Sequence, residues 1–187
     1  MGLSKRVIAK LDIKGKNLVK GVNLEGLRVL GKPEKFAEYY YNSGADELFY
    51  QDVVASLYGK NSLKEIISKT AKNIFIPLTV GGGIRNLKDI HSILKNGADK
   101  VSINTAAIKK PSFIRDASNN FGSSTIAVSI EASKIDGDYY AFTDNGRNNS
   151  NKKIYDWAKE VEDMGAGEII VTDIQSEGTG KGVNTDL

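Results

Sequence analysis

Gly44-Ala45-Asp46-Glu47-Leu48-Phe49-Tyr50-Gln51-Asp52 returns in the second half of the chain as Gly165-Ala166-Gly167-Glu168-Ile169-Ile170-Val171-Thr172-Asp173. The match extends upstream, where Phe36-Ala37 falls at the same offset from Trp157-Ala158. Each copy reads as the end of a helix, a glycine stop, an acid, a buried strand and a closing Asp. That is an αβ unit repeated half a domain later, and such a repeat sets the architecture before any local reading does. It predicts an α/β fold: a (β/α)8 TIM barrel made of two half-barrel repeats.

The neighbouring sequence follows the same rhythm. Short β-branched runs at 7–13, 47–52, 76–80, 100–103, 126–131 and 168–173 are bounded by Gly, Asp or Asn, as buried parallel strands are. Helical patterns fill the gaps at 33–43, 62–72, 87–95, 111–121 and 154–164. Pro33 and Pro111 suit first-turn positions, and Gly44, Gly97, Gly122 and Gly165 suit helix stops. Strict alternation predicts a parallel sheet with right-handed crossovers. Two connections are long, 14–32 and 132–153, and the second carries a hairpin signal at Asp136-Gly137. An eight-stranded barrel takes about 250 residues. The 187 residues therefore read as one domain, residues 1–187, of about six βα units truncated after the sixth strand. The first and sixth strands are expected to be exposed edges.

Composition narrows the function. Apolar residues make up 40% and charged residues 26%, ordinary for a globular protein. With no Cys and one His, thiol catalysis and a structural zinc site are not expected, and no metal or cofactor is proposed. A net charge of +3 is too mild to indicate nucleic acid. No apolar run reaches membrane-spanning length and the N-terminus lacks a signal segment, so a cytoplasmic protein is expected.

Strand parity sorts the chemistry. Lys10 and Asp12 share one face of the first strand; Ser129 and Glu131 share one face of the fifth. Asp12 and Glu131 both end strands, where barrels keep their chemistry, and form a candidate acid–base pair. Gly81-Gly82-Gly83 after the third strand, with Asn104 and Thr105 closing the fourth, suggests a phosphate nest. Thr172, Glu177 and Gly178 at the end of the sixth strand and in the following loop suggest a second anion site. At the opposite end Arg6, Glu47, Lys100 and Glu168 each begin a strand. They are expected to ring the barrel bottom, two cations alternating with two anions; a solvated rim of weak ion pairs is the plain alternative. Lys10 is expected to pair with Glu131 across the barrel, a Schiff-base lysine being the less favoured reading.

These stretches also carry a resemblance. Lys5-Arg6-Val7-Ile8, Val19-Lys20-Gly21-Val22-Asn23, Ile76-Pro77-Leu78-Thr79-Val80-Gly81-Gly82-Gly83-Ile84 and Gly97-Ala98-Asp99-Lys100-Val101-Ser102-Ile103-Asn104-Thr105-Ala106 resemble the cyclase subunit family of imidazole glycerol phosphate synthase, from histidine biosynthesis. The resemblance runs over nearly the whole chain. It implies a lyase that uses ammonia from a separate glutaminase subunit docked at the barrel bottom, forming a heterodimer, with Asp99 near the interface. It implies that Arg6, Glu47, Lys100 and Glu168 gate the ammonia. Asp12 matches the catalytic base, and Lys20, Gly83, Asn104 and Thr105 match substrate- and phosphate-contacting positions. Glu131 stands where the family has Asp, and Lys10 where it has a small residue. Two alternatives stay open: a divergent paralogue that channels ammonia to another amidination, such as a surface-sugar modification, or an inactive truncated fragment that binds the glutaminase.

Overall fold

The computed structural model of the protein describes residues 5–55 and 63–187. The start of the expected second helix, at 62, lies outside the described residues. Strands β1 (Ile8–Lys14), β4 (Glu47–Asp52), β5 (Leu78–Gly81), β6 (Lys100–Ile103), β7 (Ile126–Ile135) and β10 (Glu168–Asp173) are the parallel staves. They pair in the order β1-β4-β5-β6-β7-β10, every pair parallel. Helices α1 (Pro33–Asn42), α2 (Lys64–Ala71), α3 (Leu87–Lys95), α5 (Ser112–Phe121) and α6 (Ile154–Asp163) form the crossovers. A short helix α4 (Thr105–Lys109) follows β6.

The staves form because their side chains have somewhere dry to go on both faces. Leu48, Phe49 and Tyr50 of β4 are all buried, as are Val101 and Ile103 of β6 and Ile126, Val128 and Ile130 of β7. The core lies between these strands and the helix faces carrying Ala37, Ile67, Ile90, Ile114, Trp157 and Val161. The repeat is visible in this packing, since Trp157 of α6 is buried in the core and its counterpart Phe36 of α1 packs, partly buried, against the same core. Helix starts follow local chemistry. Pro33 opens α1. Asn86 caps α3 by accepting from the Asp89 amide at 3.0 Å, while Asp89 Oδ2 accepts from the Arg85 amide at 2.9 Å.

Among the described residues, four further strands correct the six-strand reading. The 14–32 connection is not an open loop but a hairpin, β2 (Asn17–Val22) and β3 (Glu25–Gly31), antiparallel and attached to the upper end of β1. The 132–153 connection extends β7 through the expected Asp136-Gly137 turn into β8 (Asp138–Thr143) and then β9 (Asn148–Lys153). β1 is therefore not a bare edge, because β2 covers it at Asp12, Ile13 and Lys14. Among the described residues β10 pairs on one side only, with β7. Both hairpins project from the C-terminal ends of staves, so they wall the mouth of the barrel.

Candidate functional site

The mouth is built from the two carboxylates singled out by parity. Asp12 ends the inward face of β1 and is 4% exposed. Its Oδ2 accepts a hydrogen bond from Lys20 Nζ of β2 at 3.2 Å. Its Oδ1 is buried and accepts no hydrogen bond among the described residues. Lys10 Nζ stands 3.7 Å from that Oδ1. Lys10 thus pairs with Asp12 and not, as the sequence suggested, with Glu131. The two residues share a strand face, and a lysine reaches two positions along its own strand more readily than across a barrel.

Glu131 lies half-buried on β7, in register with Thr172 of β10. Its Oε2 accepts from the Gly146 amide of the β8–β9 turn at 2.8 Å. Burial pushes its carboxyl up to about 7; the Gly146 hydrogen bond and the charge of Lys10 offset only part of that, and Asp144 and Asp12 add to the rise. Near neutral pH Glu131 is therefore poised between proton donor and carboxylate.

Lys20 also donates to Glu177, which sits in the loop after β10. Burial lowers the Lys20 ammonium, but the charge of Asp12 and the bond to Glu177 outweigh it, and the net direction is up. Burial likewise raises Glu177, but Lys20 and Lys10 outweigh that and hold it below the ordinary range. The same loop is pinned by the Asn23 amide donating to the Glu177 carbonyl at 2.8 Å. A side chain at Gly178 would run into the Gly21 carbonyl, so the loop and the hairpin meet backbone to backbone.

Beside the carboxylates lies a cavity of about 290 Å³, lined by Gln51, Gly82, Gly83, Asn104, Thr105 and Glu131 among others. Gly82 and Gly83 have φ of +98° and +70°. A Cβ on Gly82 would strike the Asp52 carbonyl, and one on Gly83 would lie 2.6 Å from Ala55 Cβ. Close packing on the end of β4 thus leaves no room for a side chain at either position. Asn104 Nδ2 donates to the Phe142 carbonyl at 3.2 Å while its buried Oδ1 has no partner among the described residues. Thr105 Oγ1 accepts from the Asp144 amide at 3.0 Å. Both residues therefore hold the β8–β9 hairpin over the cavity, a task the sequence did not suggest.

At the opposite end the four charges form a closed ring. Arg6 donates to Glu47 at 2.9 Å and to Glu168 at 2.8 Å; Lys100 donates to Glu47 at 3.1 Å and to Glu168 at 2.9 Å. Thr79 Oγ1 adds a 2.6 Å bond to Glu47, which is 2% exposed. Burial raises the Glu168 carboxyl, but Lys100 and Arg6 outweigh it and the net direction is down. Between ring and mouth, Ser102 and Ser129 share a 2.6 Å hydrogen bond on the inward faces of β6 and β7. Asp99 is exposed beside the ring, and its Oδ2 accepts from the Leu78 amide at 2.8 Å. Asp46 does the same for the Val7 amide at 2.7 Å, so the repeated Gly-Ala-Asp is a strand-start clamp.

A family model described as a histidine biosynthesis protein matches residues 6–187. Imidazole glycerol phosphate synthase subunit HisF of Legionella pneumophila is 55% identical over 183 residues, covering 97% of this chain and 86% of that relative. The subunit of the same name from an Exiguobacterium strain is 44% identical over 185 residues, 99% of this chain and 72% of the relative. The chain belongs to the HisF family. A further HisF, from Sulfurisphaera tokodaii, is 45% identical over 98% of this chain. Each of these HisF relatives is named a subunit. No described helix is long and apolar enough to cross a membrane.

Proposed function

We propose that this HisF-family chain is the cyclase of an imidazole glycerol phosphate synthase, a lyase of histidine biosynthesis. Its substrate is a phosphoribulosyl-formimino-carboxamide ribotide, cleaved and cyclised with ammonia to imidazole glycerol phosphate and an aminoimidazole carboxamide ribotide. The observation that carries the reading is the pair at the mouth: a buried Asp12 clasped by Lys20, facing the same opening as a Glu131 that holds its proton near neutrality. Addition of ammonia to the ribulosyl carbonyl needs a proton delivered to the departing oxygen and another removed from the incoming nitrogen. Glu131 suits the first task and Asp12 the second.

Gly82, Gly83, Asn104 and Thr105 take one phosphate end of the substrate, with Asn104 Oδ1 and the cavity beside them available to it. Lys20, Thr172, Glu177 and Gly178 serve the other end. Ammonia enters through the ring of Arg6, Glu47, Lys100 and Glu168 and passes Ser102 and Ser129. A glutaminase subunit docks on the basal face beside Asp99, where Phe75 is 79% exposed and a cavity of about 360 Å³ lies between Pro77 and Asp99. The protein works in the cytoplasm as one domain. The test is formation of imidazole glycerol phosphate by the purified chain from this substrate with ammonium salt at high pH and no partner. Turnover lost in Asp12→Asn and Glu131→Gln supports the reading; a folded barrel that binds the substrate and leaves it intact rejects it.

A further inference from the structure

Lys10 is a charged group of the mouth to which the proposed reaction gives no task. It lies two residues below Asp12 on the inward face of β1, in register with Phe49 of β4. Its ammonium rises past the Phe49 ring, 6.0 Å from the centroid, and its side chain is 26% exposed. At 3.7 Å from Asp12 Oδ1 it is within ion-pair range but beyond hydrogen-bond length. The two oxygens of Asp12 are thereby made different. Oδ2 is occupied by Lys20, whereas Oδ1 has its charge balanced and its lone pairs unclaimed by any described donor.

The charges of the mouth explain why a second ammonium matters. Asp12, Glu131 and Glu177 face Lys10 and Lys20, and Lys20 is already bound to Asp12 and Glu177. Glu131 is faced by Lys10 and Asp12 from β1, by Asp144 and the Gly146 amide from the β8–β9 turn, and by Thr172 from β10. In that set the anions Asp12 and Asp144 oppose its ionisation and Lys10 favours it. Loss of Lys10 removes one positive charge from this set, which disfavours release of the Glu131 proton and weakens the attraction for a phosphorylated ligand.

We propose that Lys10 is a positioning residue that reserves Oδ1 of Asp12 as the proton-accepting oxygen and keeps Glu131 able to give up its proton. The reaction served rests on the cyclase reading; the charge arrangement does not. The test follows the side-chain carboxyl 13C signals of Glu-labelled protein through a pH titration without substrate, Glu131 being assigned by its loss in Glu131→Gln. In Lys10→Met the Glu131 midpoint is expected to rise by about one pH unit, while Lys10→Arg keeps the wild-type midpoint. Lys10→Gln is the second neutral variant if the Met protein does not fold. An unmoved midpoint in a folded neutral variant overturns the proposal, as does an Arg variant that shifts like the neutral ones. A shifted titration with no turnover in any variant would count against the cyclase and leave Lys10 in this role; turnover with an unshifted titration would do the reverse.

Discussion

Glu131 ties proton chemistry to stability. Its folded-state carboxyl is raised to about 7 from an ordinary 4.5, so the native state holds a proton that the unfolded chain releases. The stabilisation from that proton is complete below the ordinary value and is lost as pH rises from about 4.5 to about 7. Glu177 and Glu168, both held low, work in the opposite sense and lose their contribution as pH falls through their folded values. Denaturant unfolding of Glu131→Gln is therefore expected to show a gain over wild type that grows from pH 4.5 to pH 7 and levels off above it. The same variant cannot donate a proton, and its ammonium-driven cyclase rate is expected to fall by about 100-fold or more in a steady-state assay. Asp12 and Glu131 were readable from strand parity alone. Their partners were not: the Gly146 amide is a backbone donor with no side-chain signature, and Lys20 and Glu177 lie 157 residues apart.

The staves announced themselves because buried parallel strands are written in β-branched and apolar residues. The mouth hairpins did not. β9 is Asn-Asn-Ser-Asn-Lys-Lys, with no apolar residue, and is a strand only because β8 pairs with it. The β2–β3 turn uses Asn23 and Leu24 at φ of 52° and 64°, and a leucine in the left-handed region is not a turn signal. Leu24 accepts that conformation because its side chain is buried, packed near Gly146 and Ile174. Gly146 itself sits at φ +76°, and a Cβ there would lie 3.0 Å from Leu24 Cδ1. Gly146→Ala is therefore expected to lower stability by about 1–2 kcal/mol in a urea melt, through backbone strain and crowding of Leu24. A smaller local effect is expected at α3, where Asn86→Ala removes the cap on Asp89 and should cost about 1 kcal/mol by the same measurement.

Across the whole molecule, the basal ring joins strands from both halves of the repeat. Glu47 is its buried member and answers to Arg6, Lys100 and Thr79 at once. Glu47→Ala leaves cations and a hydroxyl short of a partner and is expected to cost about 3 kcal/mol in equilibrium unfolding, more than an exposed ion pair would. The link between Arg6 and Glu168 has a different character, for it spans 162 positions and, among the described residues, no strand ladder joins β10 to β1. So long a loop closes late, after the local βα units have formed. In stopped-flow experiments Glu168→Gln is expected to speed unfolding and leave the folding rate nearly unchanged. The ring then serves as a record of assembly: a chain in which all four charges are mutually satisfied is one whose first and sixth staves have already found their places.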